Sequence, residues 1–127
     1  MTLLLDTHTL IWFSENNPQL SLTSLKAIES PDNTRYVSMA TFWEIAIKLS
    51  IGKLQLNKPL ASIITEIQVN GFHLLPIVPA HILQVETLPF FHRDPFDRIL
   101  IAQSLLEDFT LVSNEAVFDE YGVKRIW

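Results

Sequence analysis

Short, uninterrupted apolar runs alternate along this chain with longer segments of helical pattern. The first run, residues 3–5, consists of three leucines and is too apolar for a strand with one face in water, so it is typical of a strand buried on both faces. Alternation of strands and helices predicts an α/β fold with a central, mostly parallel sheet flanked by helices on both faces. We predict strands over residues 3–5, 35–38, 72–78, 110–112 and 123–127.

Prolines and glycines mark the boundaries of the predicted helices. Pro59, Pro79 and Pro95 stand where helices begin, because the fixed φ of proline suits a first helical turn. Gly52 and Gly122 stand just past helix ends, where a left-handed residue is commonly required. We predict helices over residues 7–13, 22–30, 39–51, 59–69, 79–86, 95–108 and 114–120.

The composition limits the class of protein. A chain of 127 residues, 48% of them hydrophobic, suffices for one domain over residues 1–127 with one sizeable core. The absence of cysteine excludes disulfides and thiolate metal sites and fits a cytoplasmic protein, and we expect neither a signal peptide nor a membrane helix. The net charge of −5 argues against a protein that coats nucleic acid by neutralising phosphates. An enzyme could still reach phosphate through a bound cation.

Several acids stand where strands end or helices begin. Asp6 follows the first strand, Glu115 follows the strand over residues 110–112, and Asp97 lies in the first turn of a helix that Asp94 is suited to cap. In a parallel sheet, ligands gather beyond the carboxyl ends of the strands, so we expect these acids to meet. Clustered carboxylates repel unless a cation is present, and their oxygens suit Mg²⁺, with Mn²⁺ as an alternative. The pattern therefore predicts a metal site.

Glu44 is the fourth candidate, in a helix that is apolar on nearly every side. A buried carboxylate must be paired, neutral or bound to metal. The alternative to a ligand is an internal pair with Lys48, four residues later, and the two interpretations are compatible. The four histidines have no metal-binding spacing, and we interpret them as structural or surface residues: His8, His73, His81 and His92.

With these acids placed, the sequence resembles the PIN-domain ribonucleases, specifically the VapC-type toxins of bacterial toxin–antitoxin pairs. The resemblance covers essentially the whole chain, and its most specific part is the stretch His-Arg-Asp-Pro-Phe-Asp-Arg over residues 92–98, followed by Ile-Ala-Gln. It also includes residues 3–10, 37–38, 42–48, 52–54, 111–113 and 121–123. The resemblance implies a PIN-like three-layer fold.

The resemblance also implies an activity and partners. The acidic cluster of the family falls on Asp6, Glu44 and Asp97. The family usually has Thr-x-Asp after the late strand, where this chain has Ser-Asn-Glu ending at Glu115, so the fourth position is a departure. The implied reaction is Mg²⁺-dependent endonucleolytic cleavage of RNA that leaves a 5′-phosphate and a 3′-hydroxyl. Family members commonly form homodimers and are inhibited by an antitoxin protein that inserts a segment at the acidic groove.

Two alternatives to a ribonuclease are a PIN fold that only binds and a receiver domain. A PIN fold retained only for binding protein or RNA would follow if the departure at Glu115 had abolished activity, although the intact Asp6, Glu44 and Asp97 argue against it. A receiver domain would need paired acids after the first strand and a phosphorylatable aspartate at the end of a central strand. Neither feature is present in the sequence.

Overall fold

A computed structural model describes residues 1–127, and strands and helices alternate along the chain as predicted. The strands are β1 Thr2–Leu5, β2 Thr34–Ser38, β3 His73–Leu75, β4 Thr110–Val112 and β5 Arg125–Ile126. The helices are α1 Thr7–Ser14, α2 Leu22–Glu29, α3 Met39–Ser50, α4 Leu60–Val69, α5 Pro79–Thr87 and α6 Pro95–Glu107, with a 3₁₀ helix over Ala116–Tyr121.

The five strands form one sheet in the order β3-β2-β1-β4-β5, and every neighbouring pair is parallel. The predicted α/β fold with a central parallel sheet is therefore confirmed. The prediction of a strand over residues 72–78 was too long, because β3 ends at Leu75, before Pro76. Proline has no N–H to donate to a sheet, and β3 is an edge strand, where such a residue is tolerated.

Alternate residues of β1 enter two different cores, which gives the fold its three layers. Leu3 and Leu5 pack in one buried cluster with residues of α1, α3 and α4. Leu4 points to the opposite face and packs in a second cluster with residues of α6 and the 3₁₀ helix. All three leucines are fully buried, as expected for a strand covered on both faces. No helix is both long enough and apolar enough to cross a membrane.

Three helices begin directly at polar side chains near the carboxyl ends of strands. Asp6 caps α1 by accepting a hydrogen bond from the backbone N–H of Thr9, and Ser38 caps α3. Asp94 caps α6 by accepting from the N–H groups of Phe96 and Asp97, as the sequence predicted. Because the chain passes from β1 or β2 into a helix without a loop, polar residues at these junctions are held at one edge of the sheet.

The segment after β4 differs from the prediction. We predicted a short helix over residues 114–120, and the structure has a 3₁₀ helix that begins two residues later, with Glu115 as its N-cap. The hydroxyl of Ser113 accepts a hydrogen bond from the Glu115 N–H, so residues 113–115 form a turn. β5 is also shorter than predicted, with two residues.

Candidate metal centre

Asp6 lies at the base of the site, between β1 and β4. It is 3% exposed, and its Oδ1 accepts from the Thr9 N–H at 2.9 Å. The Thr9 hydroxyl donates to the carbonyl of Val112, which ties the first turn of α1 to the end of β4. Burial raises the pKa of Asp6, while hydrogen bonds from Ser113 and Thr9 oppose the shift. The carboxylate is therefore fixed in position but poorly solvated.

The pKa of Asp97 is strongly perturbed. Its side chain is 16% exposed, and burial together with the charges of four other acids raises its pKa to about 8. In decreasing order, those charges belong to Glu115, Asp94, Asp6 and Glu44. The structure therefore brings all four predicted site acids into one electrostatic cluster, which also includes the capping residue Asp94.

Glu44 is held by two partners. Its side chain is 5% exposed, Oε1 accepts from the Thr7 hydroxyl at 2.6 Å, and Oε2 is 2.6 Å from the ammonium of Lys48. The pair that we considered as the alternative to a ligand is thus present in the structure. The hydrogen bond to Glu44 raises the pKa of Lys48, and the charges of Asp94 and Asp97 add to this effect. Lys48 therefore lies beside the acidic cluster.

His92 lies between two of the acids. Its Nε2 atom is 2.8 Å from Oδ2 of Asp97 and 3.3 Å from Oε2 of Glu115. One ligand atom from each of these three residues lies within 4.8 Å of the others, an arrangement that could hold a metal ion. The interpretation of His92 as a structural or surface residue is therefore incomplete. Its position two residues before Asp94 is a signal that it lies near the site, but no local pattern indicates its contact with Glu115.

Asp119 lies outside this cluster. Its carboxylate is paired at both oxygens with the guanidinium of Arg125, at 2.9 Å each, and the same guanidinium also donates to the carbonyl of Ser113. The hydrogen bond from Arg125 lowers the pKa of Asp119. Of the other histidines, His81 is buried against Glu107 and Gln103, whereas His8 and His73 are exposed.

The donor set fits a hard divalent cation. Asp6, Glu44, Asp97 and Glu115 offer carboxylate oxygens, the ligands that Mg²⁺ and Mn²⁺ prefer. Burial is the largest cause of the raised pKa of Asp97, and the charges of the neighbouring acids add to it, so an ionised cluster is unfavourable here without compensation. A divalent cation provides such compensation.

Comparisons with known proteins identify the family and support the fold. The model of the PIN domain family matches residues 3–124, and the chain belongs to that family. Among characterised proteins it is similar to ribonuclease VapC22 of Mycobacterium tuberculosis, with 28% identity over 115 residues that cover 90% of this chain and 87% of the relative.

Solved structures share the fold. VapBC2 from Rickettsia felis, bound to a DNA fragment from its promoter, matches with a TM-score of 0.73 and 14% identity over 99% of this chain and 98% of that chain. VapBC-1 from nontypeable Haemophilus influenzae matches with a TM-score of 0.67 and 16% identity over 99% of this chain and 97% of the other. At these identities the likeness establishes the fold alone.

Proposed function

We propose that this chain is a divalent-metal-dependent endoribonuclease that acts as the toxin of a toxin–antitoxin pair. The observation that carries the proposal is the convergence of Asp6, Glu44 and Glu115 on Asp97, whose pKa is raised to about 8. Such a cluster is favourable when it holds a cation, and phosphodiester cleavage needs little else. Similarity to ribonuclease VapC22 over 90% of the chain supports RNA as the substrate.

Each acid has a part in the proposed reaction. Asp6, Glu44, Asp97 and Glu115 would hold Mg²⁺ or Mn²⁺, and a cation bound there supplies Lewis acidity at the phosphoryl oxygen and lowers the pKa of the attacking water. Glu115 is the most exposed of the four, at 35%, so it is best placed to orient that water and to accept its proton. Lys48, held by Glu44, would contact the phosphate.

We further propose two protein partners. An antitoxin would dock at the acidic cluster, which is complementary to a basic segment. A second copy of the chain would cover an apolar groove of about 280 Å³, since the large residue Trp43 at its rim is 60% exposed. The groove lies between α3, α5 and α6 and is lined by Trp43, Ile77, Ile82, Val85, Pro95, Phe96 and Ile99.

A binding module without catalysis is the second candidate. It is favoured by one observation, that both carboxylate oxygens of Glu44 already have partners in Thr7 and Lys48. If these contacts persisted with metal present, Glu44 would not be a direct ligand. The remaining acids Asp6, Asp97 and Glu115 would still suffice for Mg²⁺, which commonly keeps several waters.

The two candidates differ in metal-dependent cleavage. Purified protein should cut single-stranded RNA when Mg²⁺ or Mn²⁺ is added and should stop with EDTA. Asp6→Asn and Asp97→Asn should each abolish cleavage and growth inhibition, because each removes one charge from the cluster while nearly preserving shape. Asp32→Asn is the matched control, since Asp32 is exposed and remote from the cluster. Cleavage that survives exhaustive chelation, or in the Asp97→Asn protein, would contradict the proposal.

A further inference from the structure

Hydrogen bonds hold the backbone of His92 through both its N–H and its carbonyl group. Its N–H donates to the hydroxyl of Tyr121 at 2.8 Å, and its carbonyl accepts from Nη1 of Arg98 at 3.1 Å. The Tyr121 hydroxyl also donates to the carbonyl of Pro89 at 2.7 Å. The chain just before α6 is therefore attached to both the 3₁₀ helix and the first turn of α6, next to Asp97.

Arg98 makes this attachment rigid. The guanidinium is buried, with 5% exposure of the residue, and it has no acidic partner among its hydrogen bonds. It donates instead to four backbone carbonyls, those of Val85, Leu88, Pro89 and His92. A planar fork of fixed donors holds several carbonyls in one relative geometry better than a flexible ammonium can. These hydrogen bonds therefore hold the backbone from which the imidazole of His92 extends.

The hydrogen bonds of the His92 ring also indicate its tautomer. Nδ1 accepts from the backbone N–H of Asp94 at 3.3 Å, so Nδ1 carries a lone pair. In a neutral imidazole the proton then resides on Nε2, which is the atom that faces Asp97 and Glu115. A nitrogen that bears a proton donates a hydrogen bond and cannot coordinate a metal. The ring therefore faces the acids as a donor.

The carboxylate of Glu115 receives this hydrogen bond from His92. Glu115 stands where the resembled family has the shorter aspartate, and His92 is the one side chain in hydrogen-bond contact with its carboxylate. A glutamate side chain that is 35% exposed loses rotamer freedom when it is directed into a site, and a fixed partner offsets that cost. Such outer contacts orient metal-binding carboxylates in many proteins.

We propose that His92 is a positioning residue that directs the carboxylate of Glu115 toward Asp97, and that it is not itself a metal ligand. Arg98 and Tyr121 hold the backbone of His92 so that its Nε2–H reaches both acids. The inference deepens the proposed function and rests on it. The relevant ligand is the divalent cation of the same site.

Three substitutions at position 92 distinguish positioning from ligation. In His92→Gln the side-chain amide N–H lies near the place of Nε2–H, so Mn²⁺ affinity, measured by calorimetry, should stay within about threefold of the wild-type value. His92→Asn places its polar atoms near Nδ1 and His92→Ala has none, so both should lose about 10- to 100-fold in affinity. His73→Ala, at an exposed position on the edge strand β3, should bind Mn²⁺ normally. If His92→Gln loses as much Mn²⁺ affinity as His92→Ala, a hydrogen-bond donor at this position does not position Glu115, and the inference is wrong.

A double substitution tests whether His92 acts through Glu115. If it does, His92→Ala should cost little further Mn²⁺ affinity in a Glu115→Gln protein, because the carboxylate it directs is already gone. Full additivity of the two losses would overturn the inference. Melting temperatures of all variants report folding, and His92→Gln, which retains the donor, keeps the test informative if His92→Ala unfolds.

The tautomer provides a readout that does not depend on activity. Two-bond ¹H–¹⁵N correlation spectra of histidine-labelled protein should show the His92 proton on Nε2 both without and with Mg²⁺. A proton on Nδ1 in the Mg²⁺-loaded protein would mean that Nε2 coordinates the ion and would refute the inference. If wild-type protein binds Mn²⁺ with the expected dependence on His92 but cuts no RNA, the proposed function fails and the positioning role stands.

Discussion

The ionisation of Asp97 affects the stability of the metal-free protein. Its pKa in the folded state is about 8, whereas the ordinary value, expected in the unfolded chain, is 3.8. Between these two values the folded state binds more protons, so the contribution of Asp97 to the free energy of unfolding is fully present below the lower value and is lost as the pH rises through about 8. We therefore expect the metal-free protein to lose stability across this range.

Asp97→Asn should remove the part of this dependence that Asp97 causes. Melting temperatures in EDTA should fall by several degrees between about pH 5 and about pH 9 for the wild-type protein and far less for Asp97→Asn, which should be the more stable of the two at high pH. Part of the slope should persist, because burial also raises the pKa of Asp6. Asp32→Asn should keep the wild-type slope. Equal slopes in all three proteins would disprove this account of Asp97.

Glu115 and Asp119 have different environments although they are four residues apart. Glu115 faces Asp97 and His92, whereas Asp119 is occupied by Arg125. Glu115→Gln should weaken metal binding and RNA cleavage clearly, by about tenfold or more, and Glu115→Asp should retain or improve both. Asp119→Asn should change neither by more than about twofold. Metal titrations of the three variants test this prediction. If Glu115→Gln leaves metal binding unchanged and Asp119→Asn weakens it, Asp119 and not Glu115 is the fourth acid of the site.

Buried hydrogen bonds connect the helices and strands that carry the site residues. The first turn of α1 is tied to the end of β4, because the Thr9 hydroxyl donates to Val112. The second turn of α3 is tied to the first turn of α1, because the Thr7 hydroxyl donates to Glu44. These buried hydrogen bonds connect segments that are far apart in sequence, so they hold Asp6 and Glu44 at defined positions.

The connection between α5 and α6 depends on Arg98. Arg98→Lys should lower the free energy of unfolding by about 2 to 4 kcal/mol, because one ammonium cannot serve four carbonyls and leaves buried acceptors without donors. Urea denaturation measures the loss. Arg93→Lys is the control, because Arg93 is exposed and is expected to be neutral. A neutral Arg98→Lys would show that the carbonyls find other partners.

At the scale of the whole molecule, the apolar groove between α3, α5 and α6 predicts self-association. Trp43 is 60% exposed and packs edge-to-face on Phe96. Trp43→Glu should shift the protein from dimer to monomer in sedimentation velocity, because a charge buried in an apolar interface costs several kcal/mol. Val69→Glu is the matched control, at a residue of α4 that is 79% exposed. A monomeric wild-type protein, or equal dissociation by both changes, would contradict the predicted interface.

Much of this fold and part of the site follow from the sequence alone. Residues 3–5 had to be a strand covered on both faces, because three consecutive leucines leave no polar side. Asp94 and Pro95 set the start of α6 through local backbone chemistry, and the structure agrees. The meeting of Asp6, Asp97 and Glu115 was predictable because the carboxyl ends of parallel strands share one edge of a sheet.

Tertiary structure decided the contacts between residues that are distant in sequence. The pair of Glu44 with Lys48 was predictable at a separation of four residues, but the Thr7 partner is 37 residues from Glu44. The contact of His92 with Glu115 spans 23 residues and depends on the position of the 3₁₀ helix. Local patterns specify which side chains lie at the edge of the sheet. Which atoms touch there depends on how helices on both faces pack, because only packing determines the distance between their side chains.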